Sequence, residues 1–499
     1  MLNSVDFSGR PFHFIGIGGI GMSALAYILA KRKLPVSGSD ISLSHITQRL
    51  QEQGAHIFWS QDAANLMHFR STAERVTESS RSTNVVTLKS SESVRPIVPE
   101  SVLPQVVCST AINPANSEYQ AAIELGCPIF HRSDILAALI QEYESIAVAG
   151  THGKTTTSSM IGYLLLKAGL DPTIVVGGEV NAWEGNARMG YGPYLVAEAD
   201  ESDGSLVKLS AAIGVVTNIE LDHPDHYTTL DEVISTFKTF AQRCRILVGC
   251  IDCDTVRRDL QPQITYSLQD TQADYWVDRV VYRSEGTTAQ VWERGTLLGQ
   301  LNLKLLGQHN LSNALAAIAV GRQLGLDFAT IAPILATFAG ARRRFEHRGE
   351  YHHIRFIDDY AHHPSEILAT LTAARIQAGS RRVVAVFQPH RYSRTQTFLD
   401  EFAQAFDCAD LVVTTEVYSA GEPQLDRVSG EQVAEAIAAH HPQVVFQPTL
   451  PAVSGFLVEQ LVPGDLVLFL GAGNLNRIIP ELTAYFQQIE AAAAPGATA

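Results

Sequence analysis

Cysteine is scarce in this chain. Six residues in 499 are scattered too widely to form a disulfide framework, so free thiols in a reducing compartment are expected. One pair, Cys250 and Cys253, has C-x-x-C spacing, but no second pair or nearby histidine couple completes a zinc site. Ordinary, partly buried thiols are the expectation there. Long apolar runs are also missing: none approaches the roughly 20 residues of a membrane span. The opening "MLNSVDFSGRPFHFIG" has no charged segment leading into an apolar one, and a cytoplasmic protein with no membrane insertion is expected. Positive charge is in deficit, with 37 Lys+Arg against 52 Asp+Glu and a formal net charge of −15. That balance argues against nonspecific binding to nucleic acid or anionic membrane, so an anionic ligand must be held by a local site.

What is present is an ordinary globular composition, 46% hydrophobic and 18% charged. The length calls for about two to four domains. The first block opens "PFHFIGIGGIGMSALAYILAKRKLPVSGSD", which reads as strand, glycine turn, helix and second strand, with Met22, Leu25, Ala26 and Leu29 at helical spacing. It is a doubly wound βαβ beginning. Residues 70–98, rich in Ser, Thr and charge, break the pattern and read as a surface insertion; "QVVCSTAI" resumes it as a strand. In the second block "SIAVAG", "YLVAEAD" and "AAIGVVTNI" read as strands, and "TTTSSMIGYLLLKAGL" and "NLSNALAAIAVGRQLG" as helices, of a mostly parallel α/β sheet. The alternation in "YWVDRVVYRSEGTTAQVWERGTLLGQLNLKLLG" predicts a small antiparallel addition. A third block, again α/β, carries strands "RFI", "RVVAVFQP", "LVVTTEV", "QVVFQP" and "DLVLFLGAG". The tail "AAAAPGATA" is low in complexity and is expected to be disordered.

The chemistry begins at "AVAGTHGKTTT". A phosphate cradle needs backbone N–H groups aimed inward, small residues at the close approach, a lysine for the outer phosphates and a hydroxyl for Mg²⁺. Gly150, Gly153, Lys154 and Thr155 supply these between a strand and a helix; Thr151, His152 and Thr156 complete the loop. The first glycine of G-x-x-x-x-G-K-[ST] is absent, Val148 standing in its place, and Gly150 is read as taking its role. His152 is read as shaping the turn. Two acidic segments follow later strands: Glu198, Asp200, Glu201 and Asp203 in "EADESDGS", and Asp222, His223, Asp225 and His226 in "LDHPDHY". The carboxyl ends of parallel strands share one edge, which gathers these groups beside the loop. His/Asp clusters also suit zinc, whereas a triphosphate with hard oxygen ligands favours Mg²⁺ or Mn²⁺.

"GIGGIG" fits G-x-G-x-x-G at Gly16, Gly18 and Gly21, with Asp40 ending the second strand. That is a dinucleotide fingerprint, but glycines at a helix N-terminus also hold the diphosphate of a nucleotide sugar. The third block adds Arg342, Arg343, Arg344 and Arg348, then Asp358, Asp359, His362 and His363, then His390, Arg391 and Arg394. Arginine suits bidentate recognition of phosphate and carboxylate, while a solvated charged face is the plainer reading of "RRRFEHRGE".

In this order "HFIGIGGIGMSALA", "AGTHGKTTTSSMI", "EADESDGS", "TNIELDHPDHY", "GQHNLSNALAA", "RRRFEHRG", "DDYAHHPSEI" and "QPHRYSRT" resemble the Mur ligases, over about residues 12–475. The first and the last two look most like the members that join L-alanine to UDP-N-acetylmuramate. The resemblance implies an α/β enzyme of three domains. A Rossmann-like UDP-sugar domain is expected over 1–143, a central ATP-binding ligase domain with a P-loop ATPase-type parallel sheet over 144–340, and a Rossmann-like domain over 341–490, with a tail at 491–499.

It implies that Gly16, Gly18, Gly19, Gly21, Asp40, Ser109, Thr110, His131 and Arg132 face the UDP-sugar. ATP falls to the loop residues with Asn310, Asn313 and Asp359, and Mg²⁺ to Thr155, Glu198 and His223. Lys154, Glu198, His223, Arg344 and Asp359 carry catalysis, and His363, His390, Arg391 and Arg394 orient the alanine carboxylate and phosphates. A monomer or homodimer is expected. The competing readings are a relative that adds a whole tripeptide, a folate-polyglutamating ligase, an NAD-dependent oxidoreductase and a nucleotide-gated binding module.

Overall fold

The computed structural model describes residues 4–67, 69, 103–424 and 428–493. The insertion at 70–98 and the last six residues lie outside them. Three sheets follow one another along the chain. The first holds β1 (Phe12–Ile15), β2 (Val36–Ser39), β3 (His56–Phe58), β4 (Gln105–Cys108) and β5 (Ile129–His131) in the order β3-β2-β1-β4-β5, every pair parallel. The reversal beside β1 opens a crevice at the strand carboxyl ends, where α1 (Ile20–Lys31) begins directly after the glycine turn. Met22, Leu25, Ala26 and Leu29 are buried, as their spacing predicts.

The second sheet has ten strands: β6 (Glu144–Ala149), β7 (Thr173–Val180), β8 (Gly185–Arg188), β9 (Tyr194–Glu198), β10 (Ile213–Val216), β11 (Ile246–Cys250), β12 (Ile264–Ser267), β13 (Tyr275–Arg283), β14 (Gly286–Glu293) and β15 (Thr296–Leu303). Strand β6 lies between β9 and β10, parallel to both. Strands β13, β14 and β15 pair antiparallel, as their alternation predicts. The antiparallel β7–β8 pair at the opposite edge has no such alternation, since Thr173–Val176 is a continuous β-branched run and β8 carries a single apolar residue, Ala187. Helix α4 follows β6, counting α2 (Ser117–Leu125), α3 (Arg132–Gln141) and α4 (Lys154–Lys167). Its residues 155–165 are all buried, so the threonine-rich start lies inside the molecule, packed against α5 (Gln308–Gln323).

The third sheet orders β16 (Glu346–Tyr351), β17 (Ile354–Asp359), β18 (Val383–Phe387), β19 (Leu411–Thr414), β20 (Val444–Phe446) and β21 (Leu466–Leu470) as β16-β17-β21-β18-β19-β20. It is parallel except for β16–β17, so most of "EHRGE" is an antiparallel edge strand and not simply a solvated face. Its hydrophobic pattern is masked because an edge strand, half-buried at best, can carry charge. Helix α6 (Pro364–Ala378) crosses this sheet, and α7 (Ile479–Ala493) closes the described chain. The first three tail residues, 491–493, are therefore helical and not disordered: alanine is a strong helix former and simply continues α7. Cys250 and Cys253 are free thiols, and burial pushes Cys250 up to about 11. Among the described residues no helix is long and apolar enough to cross a membrane.

Candidate functional site

The centre of the molecule is the turn between β6 and α4. Gly150 has φ +141° and Gly153 φ +82°, backbone that a side chain rarely adopts. A Cβ on Gly150 would lie 1.9 Å from Thr217 Oγ1, and one on Gly153 would lie 2.7 Å from Asn313 Oδ1. Strand β10 and helix α5 therefore press the turn into shape from both sides. His152 N–H donates to Asn218 Oδ1 at 2.8 Å, and Thr217 Oγ1 donates to His152 O at 2.6 Å.

Lys154 curls back over this turn. Its Nζ donates to Gly150 O at 2.7 Å, to Thr151 O at 3.0 Å and to Glu201 Oε1 at 2.7 Å. Burial alone would lower its pKa, but the carboxylates of Glu201, Asp200 and Glu198 hold it above the ordinary value. Glu201 is 2% exposed, and burial pushes it up to about 7 against the pull of Lys154. Its second oxygen is buried and bonds to nothing. Next to it, Thr155 Oγ1 donates to Glu198 Oε1 at 3.1 Å and Gly177 N–H to Glu198 Oε2 at 2.7 Å. His223, at φ +56°, lies 3.6 Å from Asp222 and 4.0 Å from Glu201, and burial lowers its pKa. The two acidic strand ends and the loop thus occupy one cleft.

The N-terminal unit meets this cleft through Arg132, which donates to Asp200 at 2.6 Å and Asp203 at 3.2 Å. His131 caps α3 and lies 3.5 Å from Asp203. In the glycine turn, Gly18 N–H donates to Asp40 Oδ2 at 2.7 Å. Asp40 thus lies against the turn itself, and a Cβ on Gly18 would collide with it at 2.7 Å. Gly21 faces Arg132, Gly19 is the N-terminal cap of α1, and Ser109 and Thr110 directly follow β4 on the same edge. Gly16 has φ +79°.

The C-terminal unit closes the other side. Arg394, 2% exposed, donates to Asp222 Oδ1 at 2.9 Å, and Arg391 donates to Asp225 Oδ2 at 2.8 Å. Asp222 is lowered well below the carboxylate range, since Arg394 and the neighbouring histidines outweigh its burial. His390 stacks on Tyr418, its Nδ1 accepts from Arg394 Nη1 at 3.3 Å, and burial lowers its pKa. His363 caps α6, and Arg344 lies over the Tyr360 ring, 3.9 Å from Glu366. Asp359 accepts N–H bonds from Phe345 at 2.6 Å and Ala361 at 2.7 Å. Asn313 Oδ1 accepts from Thr157 Oγ1 at 3.0 Å, and Asn310 Nδ2 donates to Leu306 O at 2.8 Å.

Two carboxylates that the sequence does not single out are central to the contact between units. Glu220 accepts from Ser365 Oγ at 2.8 Å, and Glu366 lies 3.2 Å from His152 Nδ1. Their only signal is position: Glu220 sits two residues before Asp222, and Glu366 in the first turn of a helix capped by His363.

Family models match in sequence: the Mur ligase family catalytic domain over residues 11–144, the Mur ligase middle domain over 148–321, and the Mur ligase glutamate ligase domain over 343–473. The chain is 66% identical to the UDP-N-acetylmuramate–L-alanine ligase of Nostoc punctiforme, covering 97% of this chain and 98% of the relative. It is 63% identical to that of Gloeothece citriformis, covering 97% and 99%. Among solved structures, the UDP-N-acetylmuramate-alanine ligase of Thermotoga maritima aligns with TM-score 0.78 at 28% identity, covering 96% of this chain and all of that one. A murein peptide ligase of Psychrobacter arcticus, 22% identical with TM-score 0.69, shares the fold over 96% of this chain and 99% of its own.

Asp359 supplies a pH test. Burial raises it to about 6 from 3.8, with Arg344 opposing. The native state then binds its proton more tightly than the unfolded chain, so this contribution is complete below about 4 and is lost as pH rises through 6. The loss is on the order of 3 kcal/mol. Thermal melts between pH 4 and 7 should show Asp359→Asn flattening that slope relative to the parent chain, whatever its fixed offset. Parallel curves would refute the assignment.

Proposed function

The chain belongs to the Mur ligase family, and from that premise we propose that it joins L-alanine to the lactyl carboxylate of UDP-N-acetylmuramate, converting ATP to ADP and phosphate, in peptidoglycan synthesis. The observation that carries this reading is the single cleft in which the Lys154 loop, the glycine turn beside Arg132, and the Arg391–Arg394 helix converge.

A carboxylate is a poor acyl donor. Its oxygen attacks the γ-phosphorus of ATP, ADP leaves, and an acyl phosphate forms. The neutral amine of L-alanine then attacks the carbonyl carbon through a tetrahedral intermediate, phosphate departs, and the amine's remaining proton is released. Lys154, freed from Glu201, would neutralise the β- and γ-phosphates, with Gly150 to Thr156 supplying the backbone cradle. Asn310, Asn313 and Asp359 would hold the rest of the nucleotide, with Arg344 on its phosphate side. Gly16, Gly18, Gly19, Gly21, Asp40, Ser109, Thr110, His131 and Arg132 would hold the UDP-sugar, and His363, His390, Arg391 and Arg394 the alanine carboxylate.

The donors beside the loop fit Mg²⁺, or Mn²⁺ in its place: the Thr155 hydroxyl and the Glu198 carboxylate already bond each other, both are hard oxygens, and His223 would complete the set. When bound, the ion supplies charge neutralisation between γ-phosphate and acceptor carboxylate. A reaction that consumes ATP and a UDP-sugar supports a cytoplasmic location.

Phosphate release with UDP-N-acetylmuramate, ATP and Mg²⁺ tests the reading across a panel of amino acids. Turnover is expected with L-alanine and not with the tripeptide; no turnover with alanine, glycine or serine would refute it. Lys154→Ala should lower turnover by about a thousandfold while leaving calorimetric binding of UDP-N-acetylmuramate unchanged. Equal loss of both would contradict the division of labour between the units.

A further inference from the structure

His152, Glu220 and His363 each bring one ligand atom into a group in which all such atoms lie within 4.8 Å of one another, and among the described residues it is the group of this kind that the structure holds. The three come from separate places: the phosphate loop, the segment after β10, and the cap of α6. His152 Nε2 lies 3.3 Å from Glu220 Oε2, and the two imidazole centroids are 4.7 Å apart. Nε2 of His363 is buried and makes no hydrogen bond; His363 as a whole is 5% exposed. Buried ring nitrogens ordinarily find a partner. This one has none, while the neighbouring His152 Nε2 faces only the Glu220 carboxylate.

The surroundings are those of a metal site. His152 Nδ1 faces Glu366 Oε1 at 3.2 Å, the carboxylate–histidine arrangement that fixes a ring so that its other nitrogen can ligate. Glu220 is itself held by the Ser365 hydroxyl at 2.8 Å. Two imidazoles and one carboxylate make the three-ligand zinc set that leaves a fourth position open. Bonds of about 2.0–2.1 Å put tetrahedral ligands about 3.4 Å apart. The His152–Glu220 edge is already at that length, and His363 has only to close in. Imidazole nitrogen selects zinc, cobalt or nickel over magnesium, so this site differs in chemistry from the oxygen donors of Thr155 and Glu198.

We propose that His152, Glu220 and His363 bind a zinc-class divalent ion that staples the phosphate loop to the C-terminal unit. Ligation displaces the proton that His152 carries between Glu220 and Glu366. It also moves the proton of His363 to Nδ1, so the Ser365 N–H, now 3.3 Å from that atom, loses its acceptor.

The test uses the full-length chain in excess Mg²⁺. Calorimetry with Zn²⁺, and visible absorption with Co²⁺ as the spectroscopic probe, should show one ion per chain in a tetrahedral ligand field. Glu220→Gln and His363→Gln should each weaken binding by about a hundredfold or more, whereas Glu198→Gln should leave it intact. X-ray absorption of the zinc-loaded parent chain, which needs no variant to fold, should count two imidazole ligands. No binding in excess Mg²⁺, undiminished binding by the first two variants, loss in Glu198→Gln instead, or fewer than two imidazoles would each overturn the proposal.

Discussion

The cleft is organised around the enclosed ammonium group of Lys154. It is folded over its own turn by two carbonyls and neutralised by Glu201, and the shape of the whole cleft follows from that arrangement. A buried lysine without a counter-ion would shed its proton, and a buried glutamate without a cation would gain one. Glu201 holds Lys154 charged, and Lys154 opposes the burial that pushes Glu201 up to about 7. The same device recurs wherever the cleft offers positive charge or a free N–H: Asp40 against Gly18, Asp200 and Asp203 against Arg132, Asp222 against Arg394, and Asp225 against Arg391. Under the proposed function, these internal carboxylates are stand-ins for the substrate anions. Of these pairs, Lys154–Glu201 and Arg394–Asp222 are buried, and removing one partner of a buried pair costs about 3–5 kcal/mol.

These pairs also hold the three units together. Arg132 belongs to the N-terminal unit and its partners to the central one; Arg391 and Arg394 belong to the C-terminal unit and theirs again to the central one. The groups that would receive substrates are therefore those that set the arrangement of the units. Under the proposed function, substrates binding at these groups would exchange one set of ion pairs between the units for another.

Much of this was legible in the sequence, for reasons that particular residues make plain. The run Ile146–Ala149 followed by Gly150, Gly153 and Lys154 could be read because strand, turn and helix each announce themselves locally. The antiparallel addition showed through the alternation of Tyr275, Val277, Ala289 and Val291, all buried in the structure. Strand β16 did not, because its edge position leaves charged residues such as Glu346 and His347 without an apolar face. The partners were harder still. Glu366 reaches His152 across 214 residues and Asp222 reaches Arg394 across 172, and no spacing rule encodes contacts made only when separate units meet. Asp40 was legible as an acid at the right strand end, but not as the group that caps the turn.

The central claim is that Glu201 competes with nucleotide for Lys154. Its most direct test is the dissociation constant for MgATP, measured by calorimetry on Glu201→Gln beside the parent chain. Neutralising the stand-in should tighten binding by about tenfold, the equivalent of roughly 1.4 kcal/mol. Unchanged or weaker binding would contradict it and make the Glu201–Lys154 pair a structural contact with no part in the exchange.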